Sequence, residues 1–520
     1  MNLAHLLVEQ AAQRPDAAAL VQTRGGRDQV TSFGELARQS DAIAAQLRAA
    51  GVRAGDAVLL LVPMSADLYA ALVGLFRIGA VAMVLDPSAG LDHLTRCCAL
   101  QRPAACVAVP KAGLLWLVSG SLRAIPRWFR TGGLGPGSAL RTEGGGAAGM
   151  AELADAAPAL LTFTSGSTGQ PKAVVRSHGF LRAQHRALAH SLSLQPGEVD
   201  LTTLPVFALA NLASGVTSVI PDADLRRPGF IDAGPVLEQV RRLKVTRTAA
   251  SPAFVERLLD HPAAATQGAS LRQVYTGGAP VFPRLLEQVA RVWPDCLPVA
   301  VYGSTEAEPI AHVAWPEMVA SDRDAMRRGA GLLAGVPVTE LRLAILRAEW
   351  GRPIEPLDEA SFAARRAAVD EAGEIVVSGD HVVAGYLHGQ GDAETKFRVA
   401  GRVWHRTGDV GRLDARGRLW LLGRCSARIQ DAAGELHPFA VECVALEHAG
   451  VRRAGCVALA GRRVLAVEGI VDLAVLQRDL AWAGLADIQM LDHLPVDRRH
   501  NAKIDYAALR RALSDAARSC

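Results

Sequence analysis

The sequence predicts an α/β protein with a large N-terminal domain built on an open parallel sheet flanked by helices, and a small C-terminal domain mixing helices and strands. Three observations predict it. At 520 residues the chain is too long for one ordinary core. Its first hundred residues alternate helix-spaced apolar patterns with short, continuously apolar runs, as parallel strands covered on both faces require. Near Arg424 the texture changes to a compact run of helices and strands, so the domains are expected at 1–423 and 424–520.

Taken in order, "MNLAHLLVEQAAQRPD" reads as a first helix and "SFGELARQSDAIAAQLRAAG" as a second that stops at Gly51. "DAVLLLVP" is a buried strand, "ADLYAALVGLFRIGA" a helix and "VAMVLD" a strand. Residues 131–149, rich in Gly with Ser and Pro, are expected to form a weakly ordered, mobile loop. "APALLTF" predicts a strand and "HGFLRAQHRALAHSL" a helix. "VTRTAASPAFVERLLD" reads as strand, turn and helix, and "LRQVYTGGAP" as a buried strand ending in a glycine turn. Beyond Arg424, "GELHPFAVECVALEHAGVRRAGCVAL" and "RRVLAVEGIV" supply the helix and strands of the small domain.

Composition narrows the class. Half the residues are hydrophobic and about a fifth charged, which is a globular and not a disordered balance. A net charge of +4 with no basic run gives no reason to expect nucleic acid. No signal peptide stands at the start, and the longest apolar runs fall far short of a membrane span, so a cytoplasmic protein is expected. Eight scattered cysteines without metal-ligand spacing read as reduced thiols. Only five residues are lysine (Lys111, Lys172, Lys244, Lys396 and Lys503) against 51 arginines. Where so Arg-rich a chain keeps a lysine, a compact ammonium is one reason, and compositional drift is another.

Four stretches carry the chemistry. "TFTSGSTGQPK", residues 162–172, combines Gly166 and Gly169 with the hydroxyls of Thr164, Ser165, Ser167 and Thr168 and the charge of Lys172. Glycines bring backbone N–H groups close to an anion, so a phosphate cradle fits, although a plain turn uses Gly and Ser as well. "VYGSTEAEP", residues 301–309, brings Thr305 and the carboxylate of Glu306 to a turn. That set can hold Mg²⁺ beside phosphate oxygens, or can equally cap a helix. "HRTGDVGRLDARGRLWLLGR" offers Asp409 and Arg424 to a sugar diol, while a hairpin turn explains "DARG" without any ligand. Finally, Lys503 stands in a polar turn before an amphipathic helix, where an ordinary exposed lysine could also stand.

The four together, in this order, resemble the adenylate-forming superfamily of acyl-CoA synthetases, peptide-synthetase adenylation domains and luciferases. "TSFGEL", "YTGGAP", "GLLAGVPV" and "GEIVVSGDHVVAGY" extend the resemblance over nearly the whole chain. It implies layered, partly parallel sheets and a mobile α+β lid, with ATP and Mg²⁺ as cofactors. It also implies roles. Thr164, Ser165, Gly166, Ser167, Thr168, Gly169 and Lys172 would hold the β- and γ-phosphates. Gly277, Gly278, Ala279, Tyr302 and Gly303 would line the adenine and acyl sites. Thr305 would touch the α-phosphate, Glu306 bind the metal, Asp409 and Arg424 take the ribose hydroxyls, and Lys503 bridge carboxylate and α-phosphate.

Departures from the acyl-CoA synthetase pattern are Ala208 in place of a histidine in "LPVFA", Ser426 in place of a hinge aspartate, and Glu435 in place of a basic residue beside the CoA tunnel. "VLDPSAGLDHLTRC", "LPVFALANLASGVTSVIPDAD" and "PVDRRHNAKID" resemble instead the olefin-pathway β-lactone synthetases. That resemblance implies an enzyme that activates a hydrophobic acid as its acyl-AMP, releasing pyrophosphate, and closes a β-hydroxy fatty acid to a β-lactone with loss of AMP. A CoA thioester ligase is the alternative, and an inactive nucleotide- or acyl-binding homologue a second. Pathway enzymes are candidate partners; chain length, stereochemistry and oligomeric state are open.

Overall fold

The computed structural model describes every residue except 86–89, 145–148, 166–170, 348–349, 498–502 and 520. The chain folds as two compact units, residues 1–222 with 380–393, and residues 223–379 with 394–520.

The first unit holds strands β1 (Ala18–Arg24), β2 (Arg27–Ser32), β3 (Ala57–Leu61), β4 (Val81–Val84), β5 (Ala105–Ala108), β6 (Trp128–Arg130), β7 (Ser138–Ala139), β8 (Pro158–Ser165), β9 (Pro171–Ser177), β10 (Val199–Thr202) and β11 (Thr217–Ile220). Seven of them form a sheet in the order β7-β6-β5-β3-β4-β8-β9, parallel except at the β8–β9 hairpin. All five residues of β3 are buried, as the unbroken apolar run "AVLLL" requires. Helix Phe33–Ala49 starts at Ser32, whose hydroxyl accepts from the Glu35 N–H while the Glu35 carboxylate accepts from the Ser32 N–H. It packs with helix Ala66–Ile78 over the core that contains Phe33, Ile43, Tyr69 and Phe76. Two residues of the glycine-rich stretch, Ser138 and Ala139, join the sheet as β7, and residues 145–148 of that stretch lie outside the described residues.

The second unit is built on β12 (Arg247–Ala250), β13 (Gln273–Gly277), β14 (Leu297–Ser304), β15 (Ala307–Ala314), β16 (Leu332–Pro337), β17 (Leu341–Leu346), β18 (Gly373–Gly379), β19 (Lys396–Val399), β20 (Arg402–Leu413) and β21 (Leu419–Arg424). They run in the order β17-β18-β20-β21-β16-β15-β14-β13-β12, with β19 on β20. Strands β12, β13 and β14 are parallel; the ladders from β14–β15 onward are antiparallel. The rest of the chain adds the short hairpin β22 (Ile429–Asp431) with β23 (Gly434–Leu436), helix Pro438–Glu447, and a sheet of β24 (Val451–Leu459), β25 (Arg462–Gly469) and β26 (Asp487–Leu491). Helix Tyr506–Ser519 closes it. The seven described cysteines are free and buried.

Candidate active site

A cavity of about 930 Å³ opens in the second unit, and seven of the residues singled out in the sequence line it: Gly278, Ala279, Tyr302, Gly303, Asp409, Arg424 and Lys503. Two glycines shape the strands that lead into it. A Cβ at Gly277 would stand 2.5 Å from the Val301 carbonyl oxygen, so only glycine lets β13 and β14 come this close. Gly408 turns β20 with φ +72°, a conformation that favours glycine and leads directly into Asp409.

Asp409 is held from two sides. The ladder pairs Asp409 directly with Arg424. The Arg424 guanidinium donates to Oδ1 at 2.8 Å, and the Tyr302 hydroxyl donates to Oδ2 at 2.7 Å. Its own backbone N–H donates to the Thr407 hydroxyl at 3.1 Å. Burial, and then the Asp409 charge, raise the Tyr302 hydroxyl well above its ordinary value, which keeps it a donor. Asp409 in turn raises the Arg424 guanidinium. Each carboxylate oxygen retains a lone pair, so two vicinal hydroxyls could still donate to it. Behind Asp409, Arg406 is locked to Glu374 by two bonds of 2.9 and 2.6 Å, both side chains almost wholly buried, which ties β20 to β18.

Thr305 and Glu306 form the two-residue turn between β14 and β15. The helix-cap alternative therefore falls: an antiparallel hairpin, not a helix, follows Ser304. Close by, and not anticipated from the sequence, the ammonium of Lys396 lies 3.1 Å from Nδ1 of His405, its ladder partner. Burial, followed by Lys396, pushes the His405 imidazole down to about 3, while the Glu306 charge pulls the other way. Among the described residues no group of three or more His, Cys, Asp or Glu gathers to hold a metal. A single hard carboxylate beside a hydroxyl fits Mg²⁺, which keeps most of its shell for phosphates and water.

Lys503 is exposed, and its backbone is clamped at both ends: its N–H donates to Asp497 Oδ1 at 2.9 Å and its carbonyl accepts from the Asp497 N–H at 2.8 Å. Three residues on, the Tyr506 hydroxyl reaches both oxygens of Glu442, at 2.8 and 3.1 Å. Glu442 also accepts from the Cys456 N–H at 3.1 Å. Both side chains line the cavity, and burial raises Glu442 to about 8. The signal was present in the sequence: Glu442 is a lone carboxylate inside the apolar run "PFAVECVAL". Glu435, one of the departures noted above, bonds His437 at 2.9 Å and faces Arg428 at 3.6 Å.

In the first unit, β8 and β9 pair as a hairpin with Thr164 opposite Lys172 and Ser165 opposite Pro171. The candidate phosphate loop thus joins two strands, because Pro171–Ser177 pairs with β8 before helix His178–Ser191 begins. The Lys172 ammonium lies 5.6 Å from the centre of the Tyr386 ring, and Tyr386 bridges Val174. Gly166, Ser167, Thr168 and Gly169 lie outside the described residues.

A carboxylate held by an arginine and a tyrosine shares the wall of one cavity with a lysine. The family match and the relatives below define the class, an AMP-forming ligase. The chain belongs to the AMP-binding enzyme family, whose profile matches residues 7–387. It is 33% identical to an olefin beta-lactone synthetase of Xanthomonas campestris pv. campestris, across 97% of this chain and 96% of that one. It is 34% identical to an olefin beta-lactone synthetase of Stenotrophomonas maltophilia at the same coverage. Among solved structures, the amide bond synthetase McbA from Marinactinospora thermotolerans shares the fold with a TM-score of 0.81, at 22% identity over 98% of this chain and 99% of that one. The expected α/β fold and adenylate-forming chemistry are both borne out. Among the described residues no helix is long and apolar enough to cross a membrane.

Proposed function

We propose that the protein activates a β-hydroxy fatty acid with ATP and Mg²⁺ as an acyl-AMP and closes it to a β-lactone, releasing AMP. The observation that carries this reading is the full-length similarity to two olefin beta-lactone synthetases, joined to a cavity lined by both the Asp409 cluster and Lys503. Asp409 accepts the ribose hydroxyls, with Arg424 and Tyr302 fixing its orientation. Lys503 sets its ammonium between the substrate carboxylate and the α-phosphate, offsetting their repulsion as the acyl–phosphate bond forms and pyrophosphate leaves. Thr305 donates to the α-phosphate, and Glu306 is the carboxylate that holds Mg²⁺, which supplies charge neutralisation when bound. Lys172 and the hydroxyls of residues 164–168 receive the departing phosphates.

In the second step the substrate's own β-hydroxyl attacks the acyl carbon and AMP departs. The nucleophile is already tethered, so the protein needs only to hold the folded conformer and exclude water. Residues 424–520 act as a lid that delivers Lys503. The replacement of basic and hinge residues by Glu435 and Ser426 fits a reaction without CoA.

Product mass tests the reading. Purified protein with Mg-ATP and β-hydroxy fatty acids, with and without CoA, is expected to yield a product one water lighter than the acid without CoA. A thioester that forms only when CoA is added would overturn lactone closure while leaving acyl activation intact.

A further inference from the structure

The crossover from β5 to β6 exposes apolar side chains that its own core does not need. Short helices Pro110–Gly113, Leu115–Val118 and Gly120–Arg123 follow β5. Leu115 and Trp116 pack inward on the cluster around Leu59, Leu61 and Trp128. On the outside, Leu114 is 58% exposed, Leu117 63% and Val118 66%. Leu134, 91% exposed, belongs with them, because Gly133 and Gly135 on either side of it pack against Pro110. Single exposed apolar side chains are ordinary, but four on adjoining segments make a patch.

The charge carried by this stretch of chain has one sign. From Arg102 to Arg141 the chain carries five arginines, one lysine and no aspartate or glutamate, although the whole chain is nearly balanced at 56 basic and 52 acidic residues. Lys111 is exposed beside Leu114, and the Arg123 guanidinium donates to the Leu117 carbonyl at 2.8 Å, placing a cation against the exposed helix. Cores of protein–protein interfaces are depleted in charge, whereas cations interspersed with exposed Leu and Val suit phosphate headgroups over an apolar layer.

We propose that this face docks on an anionic lipid surface. The helix after β5 and the loop after β6 leave from the C-terminal ends of parallel strands, and the loop after β8 leaves from the same end. Only β3 and β4 separate β5 from β8, about 14 Å of sheet. Docking therefore sets the membrane at the end of the sheet that carries the candidate phosphate loop. The inference does not depend on which product the enzyme releases.

Flotation of the full chain with vesicles of phosphatidylcholine, with or without about one third phosphatidylglycerol, tests it. The chain is expected to float with the anionic vesicles, less with the neutral ones, and to be released by salt. The variant Leu114→Ser/Leu117→Ser/Val118→Ser is expected to bind at least about tenfold more weakly, with thermal unfolding and solution mass unchanged. Equal binding to both vesicle types, or undiminished binding by the triple variant, would overturn the proposal. So would a solution oligomer that the triple variant dissolves, because the patch would then be a protein interface. Should the triple variant unfold, Lys111→Glu decides: weaker flotation supports lipid docking, and unchanged flotation refutes it.

Discussion

Two of the carboxylates that line the cavity are each gripped by a tyrosine hydroxyl. Asp409 is held by Tyr302 at 2.7 Å and Glu442 by Tyr506 at 2.8 Å. What separates them is a cation. Asp409 faces the Arg424 guanidinium at 2.8 Å, whereas the groups acting on Glu442 are its own burial, one backbone N–H and the tyrosine. Hydrogen bonds alone do not replace the hydration a buried carboxylate loses, so Glu442 rises to about 8 and keeps its proton at neutral pH. One motif therefore yields an ion-paired carboxylate on one side and a neutral strut inside the C-terminal segment on the other.

The largest effect should come from removing the paired charge. Asp409→Asn keeps the shape but deletes the ion pair, and it turns an amide nitrogen toward either Arg424 or Tyr302, where donor would meet donor. We expect the KM for ATP to rise by about tenfold or more, with a smaller change in the KM for the acid. Steady-state pyrophosphate release against varied ATP and varied acid checks it. Equal effects on both substrates would mean that Asp409 shapes the cavity generally and is no specific ribose anchor.

How far the sequence disclosed these two carboxylates differs for a physical reason. Asp409 was legible because "TGDVG" and "LWLLGR" sit fifteen residues apart around a recognisable turn, and hairpin register converts that spacing into a contact. The turn carrying Glu306 was legible as a turn because its residues are local in sequence, whereas the stretch ending at Lys172 was read as a loop before a helix and leads instead into a strand. Glu442 and Tyr506 are 64 residues apart, and nothing local announces their contact. The pair of Lys396 with His405 was missed for a related reason: it depends on β19 folding back on β20, and alternation alone does not fix that register. Strand β9 was missed because "PKAVVRS" is short and half-polar. The core strands β3, β4 and β13 were readable from their apolar runs.

The second effect sharpens the contrast through pH. An unfolded glutamate titrates near 4.5 and folded Glu442 near 8, so between those values the unfolded chain has released a proton that the folded chain retains. Stability from this group is thus fully present below about pH 4.5 and is lost as pH rises toward 8, by at most about 1.4 kcal/mol per pH unit. Glu442→Gln preserves an oxygen acceptor for Tyr506 and for the Cys456 N–H and removes the proton. Relative to the parent, the variant should gain denaturant resistance at about pH 8 and show little change at about pH 5. An identical difference at both values would show that Glu442 is not protonated in the fold.

Tyr506→Phe should have the smallest effect, and its direction separates the two roles of the hydroxyl. The Tyr506 hydrogen bond favours the ionised form of Glu442, opposing the burial that disfavours it. Deleting the hydroxyl leaves the carboxyl with the Cys456 N–H alone, so its folded value moves further up and the pH-dependent loss of stability extends to higher pH. A net cost of about 1 kcal/mol is expected at neutral pH, since the ring stays in place and one buried hydrogen bond is lost. The double variant Tyr506→Phe/Glu442→Gln should then show no pH-dependent increment over Glu442→Gln alone, because no titrating carboxyl is left for the tyrosine to act on. A persistent increment would place the action of Tyr506 on another group, and with it the tyrosine–carboxylate pair would lose its standing as the neutral counterpart of Asp409 and Tyr302.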